Sequence, residues 1–323
     1  MTVLLTGAAG FIGYHVAEAL LARGERVIGL DNLNTYYDVG LKRGRLERLA
    51  DRPNFQFHAM DISDREAVHA LVRADRSIDG VIHLAAQAGV RYSLIDPYSY
   101  VQSNVMGHVV MLEAARLLPD LRHFVYASSS SVYGANQTLP FAEGDRVDTP
   151  LSVYAATKRA DELLSHAFAH LHGLPQTGLR FFTVYGPWGR PDMAYYSFAR
   201  AIAAGEPITV YDGGALKRDF TYVDDIVAGV VGCLDRPPPA HAPRVLNIGN
   251  HRSETVLTLV RLLEQALGRQ AVLRDAPRPA ADVEETFASV AAIGALTGFA
   301  PRVSLAEGIP RFAAWFRGWH GIG

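Results

Sequence analysis

Cysteine is nearly absent from this chain. Cys233 is the only one in 323 residues, so no internal disulfide can form, and a reducing, cytoplasmic setting fits best. A surplus of charge is missing too. The formal net charge of −2 argues against a bulk electrostatic partner such as nucleic acid or an anionic membrane surface. No apolar run approaches the ~20 residues that span a bilayer. The opening stretch MTVLLTGAAGFIGYHVAEALLA has no positively charged n-region and its glycines recur in a pattern, so it does not read as a signal peptide. Histidine is plentiful at 12 residues, but no H-E-x-x-H or Cys/His pairing supplies metal-ligand spacing, and no protein-bound metal is expected.

What is present is ample core-building sequence, 49% hydrophobic, enough for one large or two modest domains. The first half alternates short β-branched runs with longer helical patterns. Strands are predicted at VLLTG (3–7), RVIGLD (26–31), FQFHAMD (55–61), GVIHLAA (80–86), HFVYASS (123–129) and GLRFFTV (178–184). Helices are predicted over 11–23, near 65–73, over 98–118 and over roughly 153–172, with Gly24 and Gly173 as stop signals. This alternation predicts an α/β fold built on a doubly wound parallel sheet. After Tyr185 the rhythm breaks into a helix near 197–204, a strand at ITVYD and a helix over 223–234. The loop RPPPAHAP (236–243) follows, then a strand RVLNIG, a helix near 255–267, a strand AVLRD and C-terminal helices. The expected division is a first domain of 1–182 plus about 220–250, and a smaller interleaved α/β lobe of 183–219 plus about 251–323.

TGAAGFIG places Gly7, Gly10 and Gly13 directly after a strand and at the opening of a helix, with Phe11 and Ile12 between the last two glycines. Glycine permits the tight turn and lets backbone approach a pyrophosphate, to which the helix N-terminus offers free N–H groups. The context makes this a Rossmann dinucleotide site. Asp31 ends the second strand, 24 residues after Gly7, and is followed by Asn32. A carboxylate there accepts hydrogen bonds from ribose hydroxyls and repels a 2′-phosphate, which favours NAD over NADP. Asp61 and Ile62 end the third strand, where an adenine would lie, although a simple turn aspartate reads equally well. The loop of Leu84, Ala85, Ala86 and Gln87 is small enough for a cofactor to pass over it.

Tyr154 and Lys158, four residues apart on a predicted helix, share one face. A phenol is a poor base at neutral pH. A neighbouring ammonium and the positive nicotinamide both favour its ionised form. Tyr-x-x-x-Lys is common by itself. Here it follows a Rossmann half and a strand that ends in four serines, Ser128 to Ser131. Ser129 lies 25 residues before Tyr154, enough chain for a loop and a helix start to bring the two together.

On these residues the chain resembles the extended short-chain dehydrogenase/reductases that act on nucleotide sugars. The resemblance covers nearly the whole chain. It narrows to UDP-glucuronate 4-epimerases at DNLNTYYDVGLKRGRL (31–46), YASSSSVYG (126–134) and RFFTVYGPWGRPDMA (180–194). The resemblance implies tightly bound NAD, regenerated in each cycle, and inversion at C4 of a UDP-hexuronic acid through a 4-keto intermediate. It implies Ser129 and Tyr154 at the sugar 4-hydroxyl, with Tyr154 as base. Lys158 would sit on the nicotinamide ribose, and Asn104 would support the Lys158 region on the cofactor side. Arg91, Ser130, Ser131, Thr183, Arg190, Val210, Arg218 and Arg278 would contact substrate. It also implies a homodimer paired through the long helix and the Tyr154 helix.

Four departures or choices stand out. Pro-Ala-Ala-Asp (279–282) replaces the relatives' Pro-Gly-Asp after Arg278, and YYSF (195–198) is less aliphatic than their pattern. Related dehydratases and decarboxylases carry an acid in the block before Val-Tyr-Gly, whereas this chain has Ser130 and Ser131, hydroxyls that are poor proton donors at neutral pH. Neutral-sugar epimerases usually have Asn at the position of Thr183. UDP-glucose 4-epimerase, UDP-glucuronate decarboxylase and a non-catalytic NAD(H) sensor stay open as alternatives.

Overall fold

The computed structural model describes residues 1–278 and 283–322. Its strands are β1 Thr2–Thr6, β2 Arg26–Asp31, β3 Phe55–Ala59, β4 Gly80–His83, β5 His123–Ser129, β6 Gln176–Phe181, β7 Thr183–Tyr185, β8 Pro207–Tyr211, β9 Lys217–Arg218, β10 Phe220–Tyr222, β11 Arg244–Ile248, β12 Glu254–Thr255 and β13 Val272–Ala276. Seven of them form one parallel sheet in the order β3-β2-β1-β4-β5-β6-β11. Both faces are covered, which is why Val3, Leu4, Leu5, Val81, Ile82, Phe124 and Val125 run as unbroken apolar stretches without polar alternation. The strand order reverses between β1 and β4, and in such sheets the crevice at the carboxyl ends of the strands at that point takes the ligand.

Helices α1 Phe11–Ala22, α2 Val39–Ala50 and α3 Arg65–Ala74 connect the first strands. The long helix begins as α4 Pro97–Tyr100, continues as a π-helical stretch Val101–Met106 and ends as α5 Gly107–Arg116. Helix α6 Val153–His172 starts where the Ser152 side chain accepts from the Ala155 N–H, and stops at Gly173 in the left-handed conformation. The remaining helices are α7 Ala194–Ala204, α8 Val223–Leu234, α9 Val256–Leu267, α10 Ala291–Thr297 and α11 Leu305–His320. Three short two-stranded pairs, β10-β7, β12-β9 and β13-β8, stand apart from the main sheet.

Among the first six strands, the first and third end one and two residues earlier than the sequence predicts, and the fourth and sixth three residues earlier. The sixth stops at Phe181, because the Phe182 N–H turns to Ile248 O and the Thr183 N–H to Asp219 O, carrying the chain into β7. The fourth stops at His83, and the Ala85 N–H turns to the Thr6 hydroxyl. Helix α2 has no counterpart in the sequence reading. Its inward face is Leu41, Lys42, Gly44, Arg45 and Leu49, so cations and a glycine occupy the positions where periodicity expects apolar residues.

Arg45 has no exposed surface and, among the described residues, no carboxylate partner; its guanidinium is satisfied by carbonyl and hydroxyl oxygens. It donates to Ala9 O in the glycine turn (2.7 Å), to the Tyr37 hydroxyl (2.8 Å), twice to Trp188 O (3.1 and 2.6 Å) and to Gly189 O (3.2 Å). One side chain thus joins the turn before α1, the loop before α2 and the loop after β7. Trp188 has φ of 60° in that last loop, a conformation unfavourable for a side chain of its size, and it is wedged between Trp315 (5.4 Å) and Trp319 (4.9 Å) of α11. Replacing Arg45 by Met keeps most of the volume and strands these oxygens without donors. The expected loss is roughly 2–4 kcal/mol of unfolding free energy, at the scale of a few unsatisfied buried groups, measured by denaturant titration. A denaturation midpoint equal to that of the wild type would show that Arg45 does not hold the loops.

Candidate active site

A cavity of about 390 Å³ opens at the carboxyl ends of the sheet, reaching from the glycine turn to α6 and the loop after β7. At its first end β1 hands over to α1 through Gly7, Gly10 and Gly13. A Cβ on Gly13 would overlap the carbonyl oxygen of Gly7, and Gly7 itself has φ of +72° with Ala85 backbone packed against it. Gly10 caps α1 without a side-chain hydrogen bond, and no acidic residue stands in the first turn. The first-turn N–H groups are therefore left for an anion, the requirement of a dinucleotide pyrophosphate, and the residues fit NAD.

Asp31 and Asn32 line the same end. Asp31 is buried; its Oδ1 accepts from the Leu33 N–H (2.9 Å) and lies 3.6 Å from Lys42 Nζ. Ile62 and the segment Leu84 to Gln87 line the cavity as expected, together with Phe11 and Ile12. Asp61 does not. Its carboxylate closes a local turn, accepting from the Ser63 N–H and hydroxyl and from Asn32 Nδ2 (each 2.8 Å). Burial pushes that carboxyl up, and these hydrogen bonds outweigh it and hold it below its ordinary value. Asp61 thereby orients Asn32.

At the other end Tyr154 and Lys158 face the cavity from the first turns of α6, beside Ser129, Ser130 and Ser131. The Tyr154 ring meets Tyr100 edge-on at 6.0 Å, and the Tyr100 hydroxyl is anchored on Ala88 O and Gly89 O. Asn104 lies in the π-helical stretch and does not line the cavity. Its Oδ1 accepts from the Gln87 N–H (2.8 Å) and its Nδ2 donates to Gln87 O (3.1 Å) and the Thr157 hydroxyl (3.0 Å). It therefore staples the cofactor-side loop to α6.

The four serines have separate tasks. Ser128 donates to Glu162 (2.6 Å), and Glu162 takes both ends of the buried Arg180 guanidinium (2.8 and 2.9 Å). Burial raises the Glu162 carboxyl, but Arg180 chiefly, with Ser128 and Arg159, brings it below its ordinary value. Arg180 also reaches the Tyr133 hydroxyl (3.0 Å), which donates to Asn247 (2.6 Å). Ser129 caps the short turn Ser130–Tyr133 by accepting from the Ser131 N–H (3.2 Å). Ser130 and Ser131 stay half-buried at the cavity wall.

Thr183 and Arg190 complete the wall. Arg190 donates from Nε and one terminal nitrogen to the two oxygens of Asp192 (3.0 and 2.6 Å), and the Tyr36 hydroxyl donates to Asp192 as well (3.2 Å). Tyr36 packs on Tyr92 at 4.9 Å, so the loops before α2, after β4 and after β7 meet over the cavity.

Four expected substrate contacts lie outside the cavity wall. Arg91 follows the lining residue Val90 and stacks on Tyr211 at 5.1 Å. Arg278 faces Asp212 (3.8 Å) and Glu284 (3.5 Å), and Arg218 donates to Glu284 O (3.2 Å), so Arg278 and Arg218 share contacts with Glu284. Val210 points its side chain into the core with Ile208 and Val260, because alternation on β8 sends Tyr211 the other way. Pro-Ala-Ala-Asp (279–282) lies outside the described residues. The sequence reading missed Asn34, Tyr36, Tyr37 and Lys42 in the cavity wall, although all four fall within the stretch 31–46 that carried the resemblance.

Residues 3–249 match the NAD dependent epimerase/dehydratase family. A probable UDP-glucuronate 4-epimerase of Rhizobium meliloti (strain 1021) is 45% identical over 333 residues, covering 98% of this chain and 97% of that one. UDP-glucuronate 4-epimerase 1 of Arabidopsis thaliana is 45% identical over 99% of this chain and 78% of its own length. Among solved structures, the UDP-glucuronic acid 4-epimerase of Bacillus cereus, in complex with UDP-glucuronic acid and NAD, superimposes with a TM-score of 0.92 at 34% identity, covering 99% of this chain and 100% of that one. With a glycine turn, a buried Asp31 and a Tyr154/Lys158 pair on one cavity, this chain belongs to the NAD dependent epimerase/dehydratase family.

Proposed function

We propose that the protein inverts C4 of a UDP-hexuronic acid, interconverting UDP-glucuronate and UDP-galacturonate. The observation that carries this reading is the meeting of Tyr154 and Lys158 with a wall of uncharged hydroxyls, Ser129, Ser130, Ser131 and Thr183, in the cavity that begins at the dinucleotide turn. The Rhizobium, Arabidopsis and Bacillus proteins bear that activity in their names. The proton of the sugar 4-hydroxyl passes to the Tyr154 oxygen, with Ser129 orienting the hydroxyl, and returns from Tyr154 once C4 has been reduced from its opposite face. Lys158 favours the ionised phenol. Bound NAD supplies the hydride acceptor and donor.

The 4-keto stage of a uronic acid is a β-keto acid, prone to lose CO₂ when its C5–C6 bond aligns with the carbonyl. Asp192 already occupies the fork of Arg190, so the hydroxyls of Ser130, Ser131 and Thr183 are the direct partners we assign to the sugar carboxylate, with Arg190 holding the loop. Hydroxyls grip less firmly than a free arginine and let the sugar turn over. No acid stands among them to serve elimination. Arg91, Arg218 and Arg278 are assigned to the UDP, whose firm hold lets the sugar move. The division into a NAD-binding part, 1–182 plus about 220–250, and a UDP-sugar lobe, 183–219 plus about 251–323, is supported by β11 joining the main sheet while β8 and β13 pair apart from it. A cytoplasmic homodimer completes the reading. Tyr98 (83% exposed) on α4, with Leu163 (55%) and Leu171 (68%) on α6, gives two neighbouring helices an apolar surface that a second copy would cover.

The decisive experiment is an NMR time course with UDP-glucuronate deuterated at C4. UDP-galacturonate should form with the label kept at C4; washout to solvent would mean proton abstraction beside a carbonyl, and no product would end the reading. Tyr154→Phe should retain NAD and lose ~10²–10⁴-fold in turnover, the usual weight of acid–base catalysis, whereas near-normal rates would remove Tyr154 from the mechanism. Asp31→Ala should narrow the preference for NAD over NADP by about tenfold or more, since Lys42 is then free to meet a 2′-phosphate. Equal binding of both cofactors by the wild type would refute the assignment.

A further inference from the structure

Behind the Tyr154/Lys158 pair lies a buried group that the proposed reaction does not use. Asp161, one turn after Lys158 on α6, has almost no exposed surface, and its Oδ2 accepts from Lys158 Nζ at 2.7 Å. Its Oδ1 finds no hydrogen-bond partner among the described residues. A buried ion pair with one oxygen unsatisfied is a poor stabilising device, because desolvation of both charges offsets their attraction. An asparagine of the same shape would accept the same hydrogen bond without the buried charge.

We propose that Asp161 is a positioning residue: it holds the Lys158 ammonium toward the floor of the cavity and offsets part of the positive charge that Lys158 presents to Tyr154. The inference rests on the reading of Tyr154 as the group that moves the proton. Lys158 favours the ionised phenol only to the extent that its field is not cancelled nearby. A carboxylate at hydrogen-bond distance cancels much of it, so the protein gives up base strength in exchange for a phenol that is ready to donate its proton when C4 is reduced.

The surroundings leave Asp161 as the group free to vary this balance. His83 on β4 and His108 on α5 stack at 5.3 Å behind the pair. Burial first, and then the Lys158 charge, push His83 down to about 3; burial, His83 and Lys158 push His108 well below its ordinary range. Both are neutral at working pH. Their ring nitrogens bond the hydroxyls of Thr6 (2.7 Å) and Ser165 (2.8 Å). On β5, burial pushes the Tyr126 phenol up and out of reach, while Glu162 on α6 is locked as a carboxylate by Arg180 of β6. Asp161, lifted to about 6 chiefly by burial and only partly drawn back by Lys158, is left to change charge near neutral pH.

The test is Asp161→Asn, purified with NAD bound. The ultraviolet band of the Tyr154 phenolate is titrated as the difference from the same protein carrying Tyr154→Phe, with no sugar present. The midpoint should move to lower pH by about one unit, the scale of a nearby charge on an ionisable group, with NAD content unchanged. A midpoint that stays in place or moves up overturns the proposal. A purely structural Asp161 would alter the melting temperature and leave the midpoint alone. Should the Asn variant fail to accumulate, Asp161→Ser leaves room for water beside the ammonium and should give the same downward shift. Turnover of UDP-glucuronate by wild type is read in parallel, so a failure of the epimerase reading is a separate result from a failure of the titration to shift.

Discussion

The burial of Arg45 is the interaction on which the geometry of the site depends. A guanidinium taken wholly out of water requires acceptors on every side. This one draws them from three segments far apart in sequence: Ala9 beside the glycine turn, Tyr37 before α2, and Trp188 and Gly189 after β7. The acceptors are neutral carbonyl and hydroxyl oxygens, so the arrangement is directional and tolerates little displacement. It holds the pyrophosphate turn and the loop carrying Arg190 in fixed relation. The indoles of α11 back Trp188 in its left-handed conformation, so the end of the chain supports the far wall of a cavity whose floor is laid down by its first strand.

A second buried charge organises the other wall. Arg180 and Glu162 pair beneath the serine block, and Ser128 is drawn down to Glu162 while Tyr133 ties the same guanidinium to Asn247 of β11. Ser128 is thereby committed to structure, while Ser129, which also caps a turn, stays in the cavity wall with Ser130 and Ser131.

Among the described residues that line the cavity, each cation has a resident anion. Lys42 has Asp31 at 3.6 Å, Lys158 has Asp161 and Arg190 has Asp192. A site that must accept a uronate in two orientations is served by partners of modest, uncharged strength. Free arginines would fix the carboxylate in one place.

The sequence by itself determined the parallel sheet, the dinucleotide turn and the Tyr154/Lys158 face, because each rests on a local period or a local steric demand. Buried parallel strands must be continuously apolar, a pyrophosphate turn must lack side chains, and positions four apart on a helix must share a face. Helix α2 was not legible, since its core-facing positions hold Lys42 and Arg45, whose acceptors come from other loops and leave no periodic trace. Asp61 was placed at the site by its position at a strand end, and Asn104 and Val210 by resemblance; the folded structure turns them to a local turn, a staple and the core. The pairing of Arg190 with Asp192, two residues on, is equally silent in sequence: Tyr36 and the cavity wall decide that this fork closes on its neighbour. Tertiary structure decided these matters because a buried polar group takes whatever partner the packing brings within reach, and sequence spacing does not record which partner that is.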